Sequence, residues 1–444
     1  MNTKTISPLG RLLSRLATIE PKEINAVVAA FCLFFFMFAG YFSVRPVRET
    51  VGTLLGRDAV ADLWLWTGAF SILIIPIYGA VVGRFRRSTF LPWTYGIVAA
   101  SLAGVGLLLD PAAFNPLLGK SFYVFISVVN LFLVSMFWSF LLELFDRGQT
   151  KRLFGVIAAG GSAGALAGPL VSDLAVQFIG ESGILFVSAA LFVVAIVCQR
   201  VLLRIWTDRP VAASSASEDR PIGGNWFAGI MLIARSPYLL GIALFIVGIS
   251  AVSTLLYFEQ LRIVSETFAN TTERTRVFAR IDWIVQSLTV ITQIFLTGRI
   301  AKHFGVTALL TIVPIAMIFG FIALAGSTSF VLFAIVFIMR RAGEYAFVRP
   351  GREMLWSPLD KETKYKAKNT LDVPVYRVAD YIGGQATVGL EKVGVTAVGV
   401  MIVGSVIAAV WGVVGWWLGR RFEGGATTPQ QEQVVPSGAQ GSKA

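Results

Sequence analysis

Long apolar runs broken by short polar or Gly/Pro-marked stretches set the pattern of this chain. Crossing a ~30 Å hydrocarbon core takes about 20 predominantly apolar residues in an α-helix. By that measure the pattern predicts helices near 24–52, 59–82, 88–109, 121–145, 153–178, 182–205, 237–262, 277–301, 305–326, 328–357, 369–391 and 394–419. Pro46, Pro76 and Pro314 fall inside these runs, where membrane helices tolerate them because neighbours re-satisfy the freed backbone groups. Between the sixth and seventh runs lies TDRPVAASSASEDRPIGGN (207–225), rich in Pro, Ser and Gly and without an apolar period, which reads as a mobile linker. The expected fold class is an all-α integral membrane protein with about twelve transmembrane helices in two six-helix halves. The N-terminal half is 24–205 and the C-terminal half 237–421, joined by a cytoplasmic linker, 206–236. An N-terminal segment, 1–23, and a tail, 422–444, disordered by composition, flank them.

Composition agrees with that class. The 444 residues are 55% hydrophobic and 14% charged, against roughly 25% charged in soluble domains. A net charge of +12 raises the question of a nucleic acid polymer. The Lys and Arg residues instead gather on one side of the alternating runs, in 1–23, at Arg84/Arg86/Arg87, at Arg147/Lys151/Arg152, in the linker, and across 340–368. That bias places both termini in the cytoplasm and excludes a nucleic acid partner. Residues 9–18 suit a short amphipathic surface helix. The first apolar run, from Ile24, is too long for a cleavable signal core. With no long transit-type leader, a bacterial inner membrane is expected. Cys32 and Cys198 sit in apolar runs without partner spacing, and His303 is the sole histidine, so neither a metal site nor a cofactor is expected.

Two parallel six-helix halves describe the major facilitator plan, with substrate held at mid-membrane between them. The halves echo each other: FDRGQTKRLFG (145–155) and LDKETKYKAKN (359–369) both set an acid and a Thr-Lys pair after the fourth run of their half. Gly83-Arg84-Phe85-Arg86-Arg87 suits the tight basic turn of that plan. The run GGSAGALAG (160–168) lacks a Gly-Lys-Ser/Thr ending and a preceding strand, so it reads as helix packing rather than a phosphate loop. With no ATP-hydrolysing domain, transport must run on gradients or exchange.

The candidate chemistry is the charge inside the spans. A charged side chain at mid-bilayer costs at least about 2.5–3.5 kcal/mol, so clusters of them imply a watery path. Arg340 to Lys368 is the densest stretch. There Arg341, Tyr345, Val348 and Arg352 are spaced as one helical stripe, and Glu344 can neutralise Arg341; Arg349 adds a further positive charge. In the first span Arg45 and Arg48 are three apart, with Glu49 beside them. Arg377 and Asp380 are spaced for an i,i+3 pair. Glu143 and Glu259 close spans four and seven, and Tyr41, Trp138, Tyr345 and Trp356 can stack a base or serve as packing. Salt bridges that merely hold the bundle are the plainer reading for Arg377–Asp380. For Arg45, Arg48, Arg341 and Arg352 the arginines exceed the local acids, which calls for an anion; guanidinium forks match phosphate oxygens and stay charged.

At these residues the chain resembles the ATP/ADP antiporter family of plastids and intracellular bacteria. GREMLWSPLD (351–360) is similar to its span-ten signature Thr-Lys-Glu-Met-Ala-Tyr-Ile-Pro-Leu-Asp, with Arg352 for the lysine and Trp356 for the tyrosine. RPVRET (45–50) resembles its Arg-Asp-Thr-Lys-Asp, and WSFLLE (138–143) its Trp-Gly-Phe-Ala-Asn-Glu. The resemblance implies nucleotide binding and exchange for Arg48, Arg352, Glu143 and Glu259. Pro46 departs from the pattern, and both lysines have become arginines. The resulting expectation is a monomeric secondary antiporter of a small anionic substrate, ATP against ADP, working by alternating access in the lipid bilayer. Substrate-binding candidates are Tyr41, Arg45, Arg48, Trp138, Glu143, Glu259, Arg341, Glu344, Arg349, Arg352, Arg377 and Asp380. The alternatives left open are a facilitator of another organic or phosphorylated anion, a proton-coupled exporter, and a membrane protein that transports nothing.

Overall fold

The structure, a computed structural model, describes residues 19–84, 87–110, 113–206, 226–327 and 329–425. The amphipathic stretch 9–18, the linker 207–225, the centre of the basic turn at 85–86 and the tail from 426 lie outside the described residues. Regular structure among the described residues is helical. The first half contains α1 (Ile24–Leu55), α2 (Arg57–Arg84), α3 (Arg87–Leu108), α4 (Pro116–Leu144) and α5 (Arg147–Trp206). After α6 (Trp226–Arg235), the second half contains α7 (Pro237–Thr267), α8 (Thr271–Thr292), α9 (Gly298–Gly326), α10 (Phe330–Gly343), α11 (Arg349–Met354), α12 (Lys361–Thr370), α13 (Tyr376–Lys392) and α14 (Ala397–Glu423).

Every predicted run falls on a helix, but two predicted breaks are bends. Within α5 the chain turns at Gly180 (φ 66°), and within α9 at Gly305 (φ 75°), a left-handed backbone that glycine adopts without a Cβ penalty. By length and apolarity seven helical runs among the described residues can cross a membrane. Two of them, Gly148–Trp206 and Thr271–Gly326, exceed twice the length of about 20 residues that a crossing needs. Elsewhere the turns carry standard stop and start signals. Asn115 and Asn270 cap α4 and α8, accepting from Leu117 N–H at 2.9 Å and Thr272 N–H at 2.8 Å, and Pro116 and Pro237 open their helices. Just before α1, Glu23 accepts from Gln149 at 2.8 Å and pairs with Arg152 at 3.1 Å. Burial alone would raise its carboxyl, but these hydrogen bonds and the Arg152 charge outweigh it and hold the group below its ordinary value.

Buried side chains form one cluster drawn from residues 19–206 and another from 233–418; a third, smaller one joins them through Val60 and Tyr123 against Phe258, Leu261 and Phe278. The outward faces carry Trp93 (70% exposed), Phe178 and Phe319. Large apolar side chains turned outward along long apolar helices define a surface solvated by lipid rather than water.

The glycine run 160–168 is a packing device. A Cβ on Gly160 would lie 2.5 Å from the Phe31 carbonyl oxygen, and one on Gly168 would lie 2.6 Å from that of Ala39; on Gly164 it would overlap the Phe35 carbonyl outright. Positions advance by four on both helices, so α1 and the first part of α5 run parallel with their backbones in contact. Gly164→Val is expected to lower stability by about 1–3 kcal/mol, read as a fall in Tm in detergent. Gly155→Ala, with open space around the new methyl, serves as the neutral control, and an equal fall there would remove the packing account.

A dense set of contacts ties the two halves together at the end opposite the chain termini. Asp173 on α5 takes Arg276 at 3.1 Å, Arg280 at 3.2 Å and the Trp283 indole N–H at 3.1 Å, all from α8. Arg57 pairs with Glu391 at 2.5 Å, Lys392 with Asp58 at 2.9 Å, and the Thr50 and Thr275 hydroxyls meet at 2.6 Å. That end is shut.

Candidate functional site

Between the halves lies a cavity of about 310 Å³, within the range of small-molecule pockets. Six arginines line it, Arg45, Arg48, Arg340, Arg341, Arg349 and Arg377, against four carboxylates, Glu49, Asp282, Glu344 and Asp380. Arg45 and Arg48 project from α1, where a spacing of three puts them on one face. Arg48 contacts Glu49 directly, donates to Ser127 Oγ at 3.2 Å and lies 5.3 Å over the Tyr123 ring. Arg45 stands 3.8 Å from both Glu49 and Asp282, so it bridges the halves. On the opposite wall Arg341 holds Asp282 at 2.5 Å, while Glu344 sits between Arg340 at 2.6 Å and Arg349 at 3.2 Å. Among the described residues, the Nε groups of Arg48 and Arg340 are buried without an acceptor, so each keeps an unused N–H donor.

Aromatic residues carry a second link across the roof. Trp64 Nε1 donates to the Tyr123 hydroxyl at 3.1 Å, Tyr123 and Tyr257 share a hydrogen bond of 2.6 Å, and Tyr257 donates to Glu49 Oε2 at 2.7 Å. This chain runs from α2 and α4 across to α7 and back to α1. Its terminal acceptor is the carboxylate that also holds Arg48.

Of the residues singled out from sequence, Tyr41, Arg45, Arg48, Arg341, Glu344, Arg349, Arg377 and Asp380 line this cavity. Four stand elsewhere. Trp138 packs among Phe34, Phe137 and Phe154. Glu143 is exposed near the end of α4. Glu259 is held by Arg262, and the neighbouring Gln260 faces the cavity instead. Arg352 pairs with Asp372 at 3.4 Å and Glu353 at 3.8 Å, beyond the chamber towards the termini.

The stripe Arg341–Tyr345–Val348–Arg352 fails for a backbone reason. Residues Glu344–Val348 form a π turn, which inserts one residue and rotates everything after it by about 100°. Arg349, rather than Arg352, therefore follows Arg341 and Tyr345 onto the cavity wall, and its guanidinium lies 4.3 Å over the Tyr345 ring. The expected Arg341–Glu344 neutralisation is likewise replaced: Arg341 reaches Asp282 on α8, and Glu344 serves Arg340 and Arg349. A second π turn, Gln293–Thr297, lies alongside. Gln293 donates to the Tyr345 carbonyl at 3.0 Å and Thr297 to that of Ala346 at 2.8 Å, satisfying acceptors the irregular backbone frees. Asp282 and Arg340 were the charges sequence spacing did not assign to the site. Their signal was an acid inside a predicted span and an arginine next to Arg341.

Two helical halves around a buried, arginine-rich chamber define a secondary transporter of the major facilitator type. Solved structures agree on the fold. The nucleoside transporter NupG superposes with a TM-score of 0.62 at 14% identity, covering 92% of this chain and all of that one. A bacterial homologue of the iron transporter ferroportin in its inward-facing state gives 0.64 at 14% identity, covering 90% and 99%. The chain belongs to the TLC ATP/ADP transporter family, whose model matches residues 120–422. It is 23% identical to ADP,ATP carrier protein 1 of Chlamydia trachomatis serovar D over 86% of this chain and 85% of the carrier. It is 22% identical to ADP,ATP carrier protein 1 of Chlamydia pneumoniae over 98% of both.

Proposed function

We propose that this protein exchanges ATP for ADP across a bacterial inner membrane by alternating access, with both termini cytoplasmic and one chain forming a complete carrier. The observation that carries this is the arginine excess in a single chamber between the halves: six guanidinium groups face four carboxylates. Such a chamber takes up an anion, and forked donors suit phosphate oxygens. Arg45 and Arg48 on one half and Arg341 and Arg349 on the other would close on the phosphates from both sides. Without nucleotide, Glu49, Asp282 and Glu344 act as substitute anions for the same arginines. An incoming phosphate chain exchanges places with them, which loosens Glu49 from Tyr257 and so reaches the shut end. With the basic termini inside, that shut end faces outward and the cavity serves the cytoplasm.

Uptake of labelled ATP into proteoliposomes preloaded with ADP tests the proposal; a well-folded preparation showing no uptake removes it. In the same assay Arg48→Ala is expected to weaken nucleotide interaction by about 2–5 kcal/mol, raising KM by about thirtyfold or more. A KM within twofold of the parent protein would take Arg48 out of the phosphate site.

A further inference from the structure

Three of the four cavity carboxylates are each held by two guanidinium groups. Glu49 has Arg48 and Arg45, Asp282 has Arg341 and Arg45, and Glu344 has Arg340 and Arg349. Asp380 is built differently. Its Oδ1 accepts from the neutral Ser250 hydroxyl on α7 at 2.6 Å, and its guanidinium partner, Arg377 on its own helix, stands 3.9 Å from Oδ2.

The surroundings reinforce the difference. From α10 and the π turn that follows it, Arg340 and Glu344 face the same chamber but are paired with each other at 2.6 Å. From α2, Asp62 accepts from Gln385 at 3.0 Å, and Arg57 and Asp58 are matched to Glu391 and Lys392 on later turns of α13. From α7, Tyr257 is committed to Glu49. On its own chain segment Tyr376 adds a neutral phenol, and Asp372 is engaged by Arg352. The neighbouring α14 carries no titratable residue before Arg420. A carboxylate inside a helix bundle stays ionised where positive charge and donated hydrogen bonds support it; where both are thin, the neutral acid competes.

We propose that Asp380 is a proton site coupled to the nucleotide: it carries a proton while ATP occupies the cavity and releases it when ADP does. This rests on the nucleotide reading above. The proton comes from a hydronium ion at the open face, whose O–H bond breaks as one forms at Asp380 Oδ2; that bond breaks in turn when the cavity opens on the other side and the proton passes to water there. No bond of the nucleotide changes. The charge count gives the device its use. With Asp380 ionised, the chamber has an excess of two positive charges; with it neutral, three. ADP³⁻ in the first and ATP⁴⁻ in the second leave the same net charge, so both legs of the exchange cross the membrane field alike.

The test uses the full chain in proteoliposomes holding ADP and the pH dye pyranine, with ATP added outside. The wild-type protein is expected to acidify the lumen by about one proton per ATP taken up, since one charge separates the two nucleotides. ADP-for-ADP exchange should bring none. Asp380→Asn should lose the proton per ATP, whatever exchange rate remains, and its ATP uptake should become sensitive to a potassium diffusion potential. Wild-type exchange without protons, or an unchanged proton ratio in Asp380→Asn, overturns the proposal while the nucleotide reading stands. Absence of any ATP-for-ADP exchange by the wild-type protein overturns both. If Asp380→Asn does not fold, Ser250→Ala decides. It removes a donor that favours the ionised acid, so proton coupling should persist to higher pH, and an unmoved pH profile overturns the proposal.

Discussion

Arg341→Ala is expected to lower stability by about 3–5 kcal/mol and to abolish exchange, because it strands a buried carboxylate. Arg341 is 7% exposed, and its Nη1 lies 2.5 Å from Asp282 Oδ1 across the α8–α10 interface. Asp282, 4% exposed, would keep only the longer Arg45 contact at 3.8 Å. A charge left so poorly matched within the membrane would draw in water or push the helices apart. Asp282→Asn in the same background should return most of the lost Tm, since it removes the stranded charge, while exchange stays lost. The comparison of Tm in detergent with flux in ADP-loaded proteoliposomes separates the two effects. A single variant with parental Tm, or a double variant no more stable than the single, would contradict this account.

The second large effect concerns the shut end. Asp173→Asn should shift the carrier towards its opposite-facing state by about 1–3 kcal/mol, a change of roughly 5- to 150-fold in the population ratio. Asp173 is itself buried and receives three donors from α8. Arg276 and Arg280 are 41% and 51% exposed, so solvent screening reduces what each pair contributes. Spin labels on α5 and α8 near that end, with Cys32 and Cys198 replaced by serine, should report a longer distance in the variant. An unchanged distance distribution would mean that the cluster does not hold the end closed.

Much of the scaffold was legible because lipid imposes a strict length on each apolar run, and the turns carry Asn, Ser, Pro and Gly where helices must stop and start. Arg45 and Arg48 were legible too, since a plain α-helix keeps residues three apart on one face. The exchange of Arg352 for Arg349 was not. It depends on a one-residue backbone slip at Glu344–Val348, and no hydrophobic period records such a slip within a single turn. Gln293 and Thr297, which support that slip from the π turn after α8, carry no spacing in the sequence that points to it. Asp282 was hidden for another reason: its partner lies 59 residues away, and pairing at that distance is set by how helices dock. The same holds for Glu49 and Tyr257, which meet only when the two halves come together.

The glycine contact between α1 and α5 fixes how force can travel. Arg45 and Arg48 lie a few residues past Ala39 on one helix, and Asp173 lies five past Gly168 on the other, with Gly168 seated against the Ala39 carbonyl. Two parallel rods fused backbone to backbone act as one lever. The hook that meets the cargo and the latch that bars the door are therefore mounted on the same arm, joined through packed backbone rather than through any loop.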